Sequence, residues 1–134
     1  MTPVRSGDLD WLLVEFTRGT PGVVNAVVVS GDGLRLATSP GMGPNLGDQL
    51  SAAASGLVSL ARGTTQLLGA GPVSQTILEL EGGYFFVSSV SQAATLAVFA
   101  ERSCDMGLVG YEMTMLATRV GHALTPAPRT PSGR

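Results

Sequence analysis

The sequence of 134 residues contains no lysine; its eight basic residues are all arginines. We read that as the codon bias of a GC-rich genome more than as chemistry. The arginines are scattered, the formal net charge is −2 and the pI is near 5.2. Without a basic stripe the chain is not expected to bind nucleic acid. A single cysteine, Cys104, excludes an internal disulfide and a cysteine zinc cluster, which suits a reducing cytoplasm. It adjoins a helix N-terminus, a place that lowers a thiol pKa, but with no second cysteine or neighbouring histidine it reads as a structural thiol. The one histidine, His122, falls near the end of the last helix, where it suits the helix dipole. The ten acidic residues are dispersed, so neither a carboxylate pair nor a metal-ligand spacing emerges. No catalytic, metal or cofactor residue is expected. The longest uncharged apolar stretch, 49–61, is broken by Ser51, Ser55, Gly56 and Ser59 and is too short to span a bilayer. The N-terminus carries Asp8, Asp10 and Glu15 and lacks a signal-peptide layout. A cytoplasmic protein is the expectation.

What is present is apolar surface. Hydrophobic residues make up 44% of the chain and mean hydropathy is +0.30, while charged residues are only 13%. A typical soluble domain has about 25%. One domain of this size has too much surface to cover with so few charges, so association is the default expectation.

Residues 1–8 read as a lead-in. Asp8 is a candidate N-cap for a helix whose stripe is Leu9, Leu12, Leu13 and Phe16, stopped at Gly19. Trp11 and Val14 point off that stripe, and Trp11 is expected to pack on a neighbouring helix. Val23–Ser30 is almost continuously apolar and β-branched, as a strand covered on both faces would be. Gly31-Asp32-Gly33 supplies a hairpin turn, not a phosphate loop, since the lysine and following helix of such a loop are missing. Residues 34–38 return as an outer strand. The loop with Gly41-Met42-Gly43 leads to a long helix, Pro44–Leu68. Residues 74–81 form a polar-laced edge strand, Glu81-Gly82-Gly83 a second turn, and 84–90 and 95–100 two further strands. Asp105 caps a last helix, Met106–Leu124, and the proline-rich 125–134 reads as a disordered tail. The order is α-β-β-α-β-β-β-α. Short strand links force antiparallel neighbours, so the fold class is α+β: three layers, a five-stranded antiparallel sheet with helices on both faces.

The long helix organises the rest. Leu46, Leu50, Ala54, Leu57, Ala61 and Leu68 share one stripe, with Ala53 and Leu60 beside it. The opposite face holds Ser51, Ala52, Ser55, Gly56, Ser59 and Gly63, with only Asp48 and Arg62 as charges nearby. Solvent-facing helix surfaces normally carry long charged residues. The expectation is a helix covered by its own sheet on one side and by a partner on the other.

Over 9–124 the chain resembles the Roadblock/LC7 family. The likeness is carried by LLVEFTRGTPGVVNAVVVSGDGLRLATS, with its Ser30-Gly31-Asp32-Gly33-Leu34 turn, by the alanine- and serine-rich helix, by the EGGYFFVSSV hairpin and by the terminal helix. The missing lysine and small size point to the bacterial branch, encoded beside a small Ras-like GTPase, in conservon operons with a sensor-kinase-like protein. The resemblance implies a profilin-like fold and a non-enzymatic homodimer. Its subunits join through the edge strand, here Gln75, Ile77 and Glu79, and set their long helices side by side. The GTPase then docks on the helix platform, here Asp48, Ser51, Ala52, Ser55, Ser59 and Arg62. Arg62 is the one arginine placed to act as an arginine finger, though an ordinary surface arginine is the expected reading. Membrane proximity would come only through partners. The alternative from another class is a small-molecule sensor holding a ligand among Asn25, Tyr84 and Ser88 in its core.

Overall fold

A computed structural model of the chain describes residues 6–91 and 93–124. Its elements are α1 (Ser6–Gly19), β1 (Val23–Ser30), β2 (Arg35–Thr38), α2 (Pro44–Leu68), β3 (Thr76–Leu80), β4 (Gly83–Ser91), β5 (Ala94–Glu101) and α3 (Met106–Leu124). The five strands form one sheet in the order β2-β1-β5-β4-β3, with every neighbouring pair antiparallel. The expected element order and fold class are therefore those observed. One boundary differs in kind. α1 begins at Ser6, so Asp8 lies inside its first turn and not ahead of it. Residues 1–5 of the expected lead-in, and the expected tail at 125–134, fall outside the described residues.

Local chemistry accounts for the punctuation. Ser30 closes the first hairpin turn: its hydroxyl donates to Asp32 and accepts the Leu34 N–H at 3.0 Å, while its backbone N–H reaches the Leu34 carbonyl at 2.8 Å. Gly33 supplies the positive φ (86°) that this turn needs. Asp105 accepts the Leu108 N–H at 3.1 Å and so caps α3 as expected. Gly43 precedes α2 with φ 77° and offers no side-chain cap; Pro44 starts the helix without an N–H to satisfy. The Gly41-Met42-Gly43 loop serves instead to seat Met42, which is buried.

β1 and β5 are covered on both faces, so their alternate residues feed two cores. Beneath α1 and α3, Leu13, Phe86, Leu96, Val98, Met113 and Val120 anchor the larger one. Beneath α2, Val27, Val29, Met42, Phe85, Val87 and Ala97 form the smaller one around Ala54. Burial on this scale contributes roughly 1.5–3 kcal/mol per large apolar side chain.

α2 meets the sheet with a face that overlaps the predicted stripe but is turned from it. Ala54 is buried and Leu50 and Leu57 pack partly against the smaller core, as expected, but the centre of the contact is shifted. The residues fully buried on it are Gly47, Ser51 and Ala54, whereas Leu46, Leu60, Leu67 and Leu68 are exposed. At 100° per residue the difference is a turn of roughly 60° about the helix axis. The cause is distance. A Cβ on Gly47 would sit 3.0 Å from Arg35 Cδ and 3.1 Å from Thr38 Cγ2, so the helix runs too close to β2 for anything large at that position.

Candidate functional site

The turned helix redistributes the expected platform. Ser51 leaves it, fully buried against its own sheet, with its hydroxyl donated to the Gly47 carbonyl at 2.8 Å. Ser55 is half-buried beside the Gly33 turn. Asp48 is exposed but engaged, accepting from Arg35 Nε at 3.0 Å and tying the start of α2 to β2. Ala52, Ser59 and Arg62 remain on the surface. Leu60, 70% exposed, and Leu67, 89% exposed, stand on that surface too. The outward side of α2 is thus more apolar than the leucine periodicity predicts, and it carries almost no charge.

The second feature is a free sheet edge. Among the described residues β3 pairs with β4 alone, leaving a row of backbone groups able to take another strand. Register fixes its faces. Leu78 lies opposite Phe85, and so on the α2 side; Ile77 lies opposite Phe86 and Glu79 opposite Tyr84, on the α3 side. Ile77, Leu78 and Leu80 are all exposed. Glu79 pairs with Arg102 at 3.0 Å, and Arg102 also donates to the Leu80 carbonyl at 2.8 Å and lies 5.4 Å over the Tyr84 ring. Gln75 stands just before the strand, exposed. The residues expected at the edge are therefore split between a strand and the loop that enters it.

Elsewhere little suggests chemistry. Among the described residues no group of three or more His, Cys, Asp or Glu side chains could hold a metal. Asn25 lies on the α2 side of the sheet with Val27, while Tyr84 and Ser88 lie on the α3 side with Phe86. The three polar groups of the sensor alternative therefore do not converge. Cys104 is half-buried. Burial pushes its thiol pKa up, and the Asp105 and Glu101 carboxylates push it the same way. Desolvation and the carboxylates thus outweigh a backbone hydrogen bond that acts the other way. Among the described residues no helix is long and apolar enough to cross a membrane.

A five-stranded antiparallel sheet between a helix pair and one long helix defines a profilin-like, three-layer α+β protein. The sequence profile of the Roadblock/LC7 domain matches residues 9–100, and the chain belongs to the Roadblock/LC7 family. It is similar to the crystal structure of a Roadblock/LC7 domain from Streptomyces avermitilis, with 38% identity and a TM-score of 0.79, covering 83% of this chain and 92% of that one. It shares its fold with an MglB solved in a tetrameric arrangement, at 16% identity and a TM-score of 0.81, covering 92% of this chain and 93% of that one. Acanthamoeba castellanii profilin II follows at 18% identity and a TM-score of 0.63, covering 85% and 97%. No curated protein sequence matches the chain significantly.

Proposed function

We propose that this protein is a non-enzymatic, homodimeric scaffold that binds and modulates a small Ras-like GTPase in a bacterial signalling system, with a sensor-kinase-like protein among its partners. The observation that carries the reading is the pairing of a charge-poor outer face on α2 with an open β3 edge on the same molecule. Leu78 and Leu80 face the α2 side of the sheet, where Leu60 and Leu67 stand exposed. Leaving that much apolar surface in water is unfavourable, and a second copy added at β3 would cover it. Self-assembly has a precedent on this fold in the tetrameric MglB.

In this reading β3 with Gln75, Ile77 and Glu79 forms the dimer seam. The paired α2 helices present Asp48, Ala52, Ser55, Ser59 and Arg62 to the GTPase. The setting is cytoplasmic, near a membrane only through partners. Sedimentation equilibrium gives the first test: a mass of two chains is expected, and a monomer at high micromolar concentration sinks the dimer. Calorimetry with the GTPase encoded beside it, loaded with GTP or GDP, gives the second. Binding in at least one state is expected, weakened by Ser59→Arg without loss of folding; no binding in either state rejects the scaffold reading.

A further inference from the structure

α2 does not lie flat on the sheet. Its first half is sealed at Gly47, Ser51 and Ala54, but the inward positions of its second half, Val58, Ala61 and Thr65, are only half-buried. Beneath that half opens a groove of about 270 Å³, floored by Val87, Ser89 and Ser91 of β4 and walled by residues 72–76. The wall is held in place. The Thr65 hydroxyl donates to the Gly71 carbonyl, the Ala70 N–H reaches the Thr65 carbonyl at 3.1 Å, and Gly69 adopts the left-handed conformation that turns the chain.

Arg62 lines this groove and also a smaller pocket beside it, formed with Ser30, Ser55, Ser59 and Thr95. Among the described residues Arg35, Arg102 and Arg119 are ion-paired, whereas Arg62, like Arg18 on α1, has no carboxylate within 4.0 Å. No Asp or Glu lines either space. The rest of the lining divides into neutral donors, such as Gln66, Ser74 and Gln75, and apolar side chains, such as Val58, Val73 and Val87. An exposed arginine bordering an acid-free groove, with neutral donors around it and hydrocarbon below, has the makings of an oxyanion site.

We propose that this groove binds a small monocarboxylate on a short apolar stem, its carboxylate held by Arg62. One guanidinium neutralises one charge and its planar fork matches a carboxylate; a phosphate group, at roughly −1.5 to −2, would remain under-compensated. The volume lies below the roughly 300–1,000 Å³ of sites for drug-sized ligands, so the stem is short. The proposal does not rest on the GTPase reading, although both use Arg62.

The test is a ¹⁵N–¹H correlation titration of the full chain with sodium butyrate, inorganic phosphate and 1-butanol at constant ionic strength. Butyrate is expected to shift the amides of 62–66, 73–76 and 87–91 saturably, and the other two probes are not. Arg62→Gln should weaken butyrate about tenfold or more while leaving the remaining spectrum in place. Ser74→Glu, which puts a carboxylate in the groove, should do the same. The proposal is overturned by an absent or unsaturable butyrate shift, by shifts away from the groove, by unchanged binding in Arg62→Gln, or by phosphate or butanol binding as well as butyrate. A chain that binds the GTPase but not butyrate fails this proposal alone.

Discussion

The Ser51 hydroxyl is 2.8 Å from the Gly47 carbonyl one turn earlier on α2, and both residues are buried against the sheet. The bond satisfies the serine inside its own helix, so a polar residue can face a core without any partner from the sheet. Ser51→Ala should therefore change stability by less than about 1 kcal/mol. Ser51→Leu should cost about 1–3 kcal/mol by overpacking the gap beside β2. Ser59→Leu, on the exposed side, should stay within about 0.5 kcal/mol. Urea unfolding of the three variants checks this; a harmless Ser51→Leu would mean that the helix does not meet the sheet there.

Leu60→Glu combined with Leu67→Glu should lower the solution mass toward one chain with the circular dichroism spectrum unchanged, because both side chains are exposed in the single subunit. Leu78→Lys should do the same by placing a charge along the seam. Analytical ultracentrifugation reads both. A dimer that survives all three substitutions lies elsewhere.

Trp11 is 57% exposed, yet it does meet the neighbouring helix: the Arg119 guanidinium lies 5.7 Å over its ring and also pairs with Glu15. All of these groups are partly in water, so Arg119→Ala should cost no more than about 1 kcal/mol. Because Trp11 is the sole tryptophan, its fluorescence reports the change directly. An altered emission with a small loss in unfolding free energy is the expected pair of results.

Cys104 should behave as a poor nucleophile. Burial and the adjacent carboxylates raise its thiol pKa above the ordinary value, so the thiolate forms later as pH rises. Iodoacetamide labelling of the folded chain should be slow at pH 7.5 and should still be accelerating at pH 9. A plateau below pH 8 would contradict the assignment.

Gly22 has φ 90°, and a Cβ there would sit 2.7 Å from the Cys104 Cβ. Gly22→Ala therefore meets both backbone strain and a clash with the β5–α3 connection. It should cost at least about 2 kcal/mol, measured by chemical denaturation. A partial recovery in Gly22→Ala/Cys104→Gly would separate the clash from the strain.

Much of this architecture follows from local chemistry that the sequence states outright. Ser30 and Gly33 make a turn whatever lies around them, Asp105 caps the helix that follows it, and the run Val27, Val28, Val29 suits only a strand covered on both faces. These determined the element order, the antiparallel pairing and the family. The facing of α2 was another matter. Neither side of that helix carries a run of charge, so periodicity picks out the leucines, and the choice falls instead to how near the helix lies to β2. That approach, 3.0 Å from a Cβ on Gly47 to Arg35, keeps small residues at the contact with β2, so Leu50 and Leu57 pack only partly against the core while Leu46, Leu60, Leu67 and Leu68 are exposed. The groove at Arg62 likewise joins residues from α2, the 72–76 segment and β4. Separation along the chain hides such a site; only the gap between a tilted helix and its sheet creates it.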